Sequence, residues 1–198
     1  PAVDYDIDDV TRMDQDGVDA AQYNRIKNMT VGEFREWLLS YDTTEADIKG
    51  ATRGMTAEMV AGVAKIMSNL DLVYAAHKIH VESECNTVAG RRGTFSTRLQ
   101  PNHPTDDVEG ITASLYEGLS YGCGDMLIGL NPVNDTSASC KAILERFDDV
   151  KRRWQIPTQI CVLAHITTQM EAVRQVAPTD LIFQSIAGSQ KGNESFGF

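Results

Sequence analysis

The chain has 198 residues, enough for one domain or one domain with an extension, and 42% of them are hydrophobic, so a sizeable core is available. Its 28 acidic residues against 18 basic ones give a formal net charge of −10, which argues against nucleic acid as a partner, because that needs clustered Lys and Arg. No apolar run approaches the roughly 18 residues of a membrane-spanning helix, and no signal peptide is legible at the start.

Residues 1–17 hold Asp4, Asp6, Asp8, Asp9, Asp14 and Asp16 without hydrophobic period, so a solvated, poorly ordered lead-in is expected. The spacing of an EF-hand calcium loop is absent there. A run of helices follows. A short polar one is expected over 19–28. Thr30 and Glu33 form a capping box ahead of the stripe Phe34, Trp37, Leu38 and Tyr41, spaced as one helix face. Thr43 or Thr44 caps a brief helix through Ile48. Gly54 breaks the chain before Thr56, which caps a long helix reaching Lys78, with Met59, Val63, Ile66, Met67 and Leu70 inward and the methionines as core filler. Residues 82–93 are polar and glycine-bearing, a loop.

From Thr94 the pattern alternates. Strands are expected over 94–100, 125–131, 159–165 and 181–187, and helices over 106–121, 136–154 and 167–176. Asp106, Thr136 and Thr167 serve as N-caps. Ile111, Leu115 and Leu119 face inward on the first helix, and Ile143, Phe147 and Val150 on the second. Such strand–helix units place the strands parallel with right-handed crossovers. The strands are apolar until their ends, where Arg98 and Gln100, then Asn131-Pro132, His165, and Gln184-Ser185 appear. Side chains two apart share a strand face, so Arg98 and Gln100 point together near a carboxyl end, where parallel α/β folds build their sites. A guanidinium fork beside an amide suits a small polar substrate.

Two architectures fit: an open doubly wound sheet, or the first half of a (βα)8 barrel. No GxGxxG or P-loop motif follows the first strand, which weakens the nucleotide-binding sheet. Four strand ends with polar residues suit the barrel.

Each residue also has a plainer reading. Arg98 can be a surface or strand-pairing arginine, Gln100 a partner for turn backbone, Asn131-Pro132 a strand stop, and Gln184 and Ser185 caps. His103, between two prolines, reads as a loop residue, Arg91-Arg92 as a charged loop, and His165 as a structural hydrogen-bonding residue. The four cysteines, Cys85, Cys123, Cys140 and Cys161, have neither CxxC nor zinc-ligand spacing and read as free thiols, with Cys140 and Cys161 buried.

The stretches Arg98-Leu99-Gln100-Pro101-Asn102, Asp106-Asp107, Tyr116-Glu117-Gly118-Leu119-Ser120-Tyr121-Gly122, Gly129-Leu130-Asn131-Pro132, Ile156-Pro157-Thr158-Gln159, Val162-Leu163-Ala164-His165-Ile166-Thr167-Thr168-Gln169 and Phe183-Gln184-Ser185-Ile186-Ala187-Gly188 resemble the large subunit of ethanolamine ammonia-lyase. The likeness extends upstream through Tyr23-Asn24 and Ile26-Lys27-Asn28 and is specific because so many motifs occur in order.

That resemblance implies an α/β fold: an N-terminal acidic lead-in and helical segment over residues 1–93, then the first half of a TIM (β/α)8 barrel over 94–198, with four strands and three intervening helices. It implies adenosylcobalamin as cofactor and ethanolamine as substrate, converted to acetaldehyde and ammonia by a radical mechanism. Arg98 would be catalytic and would hold the substrate hydroxyl oxygen; Leu99, Gln100, Asn131 and Phe196 would complete the substrate contacts. Pro132, Gln184 and Ser185 would contact the cofactor, and no residue here would ligate the metal, since no Asp-x-His-x-x-Gly pattern occurs. The implied partners are a small subunit and further large subunits in a hetero-oligomer, in the cytoplasm or within a bacterial microcompartment. The chain begins at Pro1, so it is expected to be a piece of a longer protein, with the carboxylates that would hold the substrate ammonium beyond Phe198 and the piece alone inactive. The competing readings are a cobalamin-independent TIM-barrel lyase or aldolase, which would want a Schiff-base lysine or a metal cluster at a strand end, and a non-catalytic truncated relative.

Overall fold

The computed structural model describes residues 7–197, so Asp4 and Asp6 of the acidic lead-in lie outside the described residues. Two compact units divide the chain, with boundaries between His80 and Val81 and between Ser185 and Ile186.

The first unit is helical. Its opening corrects the expectation of an unordered lead-in: α1 (Asp9–Asp16) starts at Asp8, whose carboxylate accepts from Thr11 N at 2.8 Å. An aspartate at the cap and another in the first turn favour a helix start where hydrophobic period gives no sign of one. Asp19 caps α2 (Ala20–Ile26). The Thr30–Glu33 capping box opens α3 (Val31–Leu39), and Thr44 forms a second box with Asp47 on α4 (Glu45–Lys49). A 3₁₀ turn (Thr52–Gly54) leads to Thr56 and α5 (Ala57–Ala64). Gly54 is there for close approach, since a Cβ would sit 2.7 Å from Tyr23 Cα on α2.

The long helix expected through Lys78 is two helices, because Ser68 and Asp71 form a third capping box and start α6 (Asn69–Lys78). Ile66 and Leu70, expected inward, are 50% and 80% exposed. Tyr41 is exposed as well, because α3 stops at Leu39 and the stripe ends with it. Ile26, Phe34, Leu38, Ile48, Ala51 and Val63 form this unit's core, with Met29, Met55, Met59 and Met67 packed against it as filler. Polar ties join the helices. Arg35 Nη2 on α3 lies 2.5 Å from Asp71 Oδ2 on α6. Lys78 Nζ donates to Leu38 O at 2.9 Å and to Ser40 O, satisfying carbonyls left open at the α3 C-terminus.

The second unit is α/β. A hairpin that the polar stretch 82–93 conceals comes first, β1 (Ser83–Glu84) against β2 (Val88–Ala89), antiparallel. Then β3 (Arg98–Leu99), α7 (Val108–Ser120), β4 (Leu127–Leu130), α8 (Ser137–Arg153), β5 (Gln159–Val162) and α9 (Ile166–Arg174) alternate as expected. The sheet runs β3-β4-β5, all parallel, with Arg98 beside Leu127 and Gly129 beside Cys161. Ile128, Leu130, Ile160 and Val162 take the helix side with Ile111, Leu115, Ile143, Phe147 and Val150, all buried, and Leu99 and Leu119 pack against them. Arg98, Leu127, Gly129, Gln159 and Cys161 alternate onto the opposite face.

All four strands are shorter than expected, β4 and β5 by three residues each and the first and last more sharply. Thr97 N and Oγ1 both donate to Asp125 Oδ1, and Asn102 N takes Gln100 O at 2.9 Å, so only Arg98 and Leu99 remain in the ladder. The expected strand 181–187 is a single parallel bridge, Leu163 with Phe183. Its main chain is held by a side chain instead: buried Gln169 on α9 donates through Nε2 to Phe183 O at 2.7 Å and to Ala164 O at 2.6 Å, and accepts from Phe183 N at 3.4 Å. Two caps also move. Asp107, not Asp106, caps α7, and His165, not Thr167, caps α9. The chain's last helix, α10 (Gln190–Ser195), belongs to the first unit and starts at Ser189.

Candidate active site

The open face of the parallel sheet is closed at the strands' amino ends and polar at their carboxyl ends. Closure comes from the hairpin. Asn86 N and Thr87 N donate to Gln159 Oε1 at 2.7 and 3.0 Å, while Gln159 Nε2 donates to Thr87 Oγ1 at 2.7 Å and to Met126 O. A buried glutamine with both ends satisfied seals that end without leaving an orphaned polar group.

In the same row, across β4, the face carries Arg98. Nε and Nη2 of this guanidinium are buried and have no hydrogen-bond partner, and its Cζ lies 4.7 Å from the centroid of the Phe183 ring. The aromatic face offers cation–π attraction but no acceptor. A buried donor left unmade costs about 1–3 kcal/mol, more when charged, so the arrangement favours an incoming oxygen. Cys161 is on the same face. Burial pushes its thiol up, and the neighbouring guanidinium of Arg98 pulls the other way. Gly129 sits between, where a Cβ would stand 2.7 Å from Cys161 Sγ.

The strand ends place the remaining candidates. Gln100 and Asn131 are exposed and Pro132 is half-buried. Asn131 N donates to Asn102 Oδ1 at 3.1 Å, and Val133 N and Asn134 N donate to Asp106 Oδ1 and Oδ2 at 2.9 and 2.7 Å. Gln184 Nε2 bonds Ser185 O at 2.8 Å, but Gln184 Oε1 is buried without a partner. Ser185 is exposed. Leu99 turns to the helix side, against the positions of Gly118 and Gly124. Phe196 is an exposed ring at the C-cap of α10, in the first unit. Thus Arg98, Gln100, Asn131, Pro132, Gln184 and Ser185 share the sheet unit, while Phe196 does not.

His165 and His103 hydrogen-bond locally. His165 Nδ1 lies 2.7 Å from Thr167 Oγ1 as the α9 cap, and His103 Nδ1 accepts from Asp107 N at 3.3 Å inside its turn. Among the described residues no group of three or more His, Cys, Asp or Glu side chains is placed to hold a metal ion, and no helix is long and apolar enough to cross a membrane. Sequence reasoning gave Phe183, Gly129 and Asn102 no role and Asp106 only that of a helix cap. The last two sit in the proline-flanked turn after the first strand, where short polar side chains commonly bind backbone; Phe183 and Gly129 carry no comparable signal.

Parallel strands alternating with helices, with amides in the turns after them, define this unit as α/β. Over residues 1–198 the chain matches the family model described as Ethanolamine ammonia lyase large subunit (EutB). It is 51% identical over 197 residues to the ethanolamine ammonia-lyase large subunit of Escherichia coli, covering 100% of this chain and 44% of that protein, with the same figures for the Salmonella typhimurium protein. The chain belongs to the ethanolamine ammonia-lyase large subunit family. It spans 44% of the length of these relatives.

Proposed function

We propose that this chain is a large-subunit portion of an adenosylcobalamin-dependent ethanolamine ammonia-lyase, converting ethanolamine to acetaldehyde and ammonia by a radical mechanism. Residues 94–198 are read as the first half of a TIM (β/α)8 barrel preceded by the segment 1–93. One observation carries the reading: Arg98 holds an unpartnered, buried guanidinium edge on the sheet face opposite the helices, with the amides of Gln100 and Asn131 at the carboxyl ends. Family membership supplies the substrate.

In this reading Arg98 donates to the substrate hydroxyl oxygen, and a fixed cation in a site shielded from water stabilises charge that develops there as the amino group moves. Gln100, Asn131 and the main chain at Leu99 orient the substrate. No carboxylate is among these residues, so the substrate ammonium is held by acidic side chains from elsewhere in the complete subunit. Gln184, whose buried Oε1 has no partner and can accept from an amide or hydroxyl, would hold the cofactor together with exposed Ser185 beside it in sequence and Pro132 in the turn after β4. When bound it supplies the carbon radical that removes hydrogen from the substrate. A Schiff-base aldolase finds less support: Lys78 donates to main-chain carbonyls, Lys141 to Gln175 O, and Lys151 to Asp180.

The curated relatives are named as large subunits, so a small subunit is the proposed partner, with further large subunits in a hetero-oligomer. The proposed location is the cytoplasm or a bacterial microcompartment. The test uses the full-length subunit with its small subunit, mixed anaerobically with adenosylcobalamin and ethanolamine. Wild type should give a cobalt(II)–substrate radical pair by electron paramagnetic resonance, and Arg98→Ala should weaken it. A spectrum without any radical or cobalamin change in wild type would remove the reading.

A further inference from the structure

We infer that Asp106 is a positioning residue for the strand-end pocket: reaching across from the loop after β3, its carboxylate fixes the turn that carries Asn131 and Pro132. The inference rests on the proposal that this turn meets substrate and cofactor.

Asp106 adopts φ 55°, left-handed backbone that aspartate tolerates better than most residues but still at a cost. That conformation is not needed to start α7, because Asp107 does so by accepting from Gly110 N at 2.7 Å. The Asp106 carboxylate points elsewhere. Oδ1 accepts from Val133 N at 2.9 Å and Oδ2 from Asn134 N at 2.7 Å, with Ser139 Oγ at 3.4 Å. Both oxygens are thus spent on consecutive main-chain donors 27 and 28 residues away. Asn102 makes a parallel tie two residues earlier, accepting from Asn131 N at 3.1 Å. The β4 loop passes the arrangement on, since Asp135 Oδ2 accepts from His165 N at 3.0 Å. The loop after β3 is thus fixed to the loop after β4, and that loop to the end of β5, by short polar side chains on main chain. Such bonds lock a turn at a chosen place rather than adding core, and placement within about 0.5 Å is what a pocket needs.

The test uses the full-length large subunit assembled with its small subunit and compares wild type, Asp106→Gly, Asp106→Asn, Asn131→Ala and Asp107→Ala. Glycine keeps the left-handed backbone and removes both acceptors; asparagine keeps the backbone and one acceptor. Asp106→Gly should raise KM for ethanolamine about tenfold, the loss expected for charge-assisted bonds, with a smaller fall in kcat and partial rescue in Asp106→Asn. Hydrogen exchange in peptides spanning 131–136 should quicken in both. Asp107→Ala, which loses only a helix cap, should lower the thermal midpoint without splitting KM from kcat. If Asn131→Ala is impaired while Asp106→Gly keeps wild-type KM, or exchange over 131–136 stays slow, the positioning role is overturned and the active-site reading survives. If Asn131→Ala is itself without effect, that reading of the turn falls first, and the exchange result still separates the two. Should Asp106→Gly fail to assemble, Asp106→Asn decides by the same readouts.

Discussion

Arg98 and Phe183 meet across the open face of the sheet, guanidinium carbon over ring at 4.7 Å, and the ring satisfies none of the guanidinium's donors. Nε and Nη2 are buried without an acceptor. A lysine could keep the charge but not the planar fork. Arg98→Lys in the full-length, assembled protein should therefore lower kcat by about 10²–10³-fold, the size of a lost oxyanion donor. Steady-state kinetics checks this, and a lysine variant within a factor of a few of wild type would mean that charge alone suffices.

Gly129 is required for space. A Cβ there would stand 2.7 Å from Cys161 Sγ and 3.1 Å from Cys161 O. Gly129→Ala should lower stability by about 1–3 kcal/mol through overpacking. Cys161→Ala removes the nearer atom, so the double variant should recover about 1 kcal/mol of coupling. Thermal midpoints of the four proteins close the cycle; strict additivity would place the strain at the backbone carbonyl.

These contacts mark the limit of what was legible beforehand. Capping boxes and 3.6-residue stripes announced α3, α4, α7 and α8, because those signals are local. The break at Ser68 had its local sign in Asp71, but the apolar run through Ile66, Met67 and Leu70 outweighed it, although two of those residues stay exposed. The alternation of β3, β4 and β5 with helices was legible, and so was the polar character of their ends. What could not be read is pairing at a distance. Gln169 takes over the main chain of Phe183, Asp106 serves the next loop rather than its own helix, and the hairpin seals Gln159. Each joins residues far apart in sequence, which periodicity does not register.

The thiols should differ sharply in reactivity. Burial first, then the carboxylates of Asp135 and Asp106, push the Cys140 thiol up to about 11. Cys161 is raised by burial with Arg98 opposing, whereas Cys85 is exposed. With iodoacetamide at about pH 8, near a free thiol's ordinary range, Cys85 should label first and Cys140 only on unfolding. Peptide mass spectrometry reads the order, and early labelling of Cys140 in folded protein would contradict its burial on the core side of α8.

Asp180 ties the segment after α9 to the sheet. Its Oδ2 accepts from Lys151 Nζ at 2.7 Å and from Ile160 N at 2.9 Å. Burial alone would raise its pKa, but these bonds and one from the Asn86 side chain outweigh it, and the carboxyl lies below its usual value. A depressed folded pKa contributes stability above the unfolded value of about 3.9, lost as pH falls through the folded one. Asp180→Asn should therefore cost about 2 kcal/mol at neutral pH, the scale of a hydrogen bond to a charged group, and shrink the penalty in acid. Thermal midpoints of wild type and variant should converge as pH drops below about 4. A gap that stays constant through that range would mean that the carboxylate's charge is not what holds Lys151 and Ile160 in place.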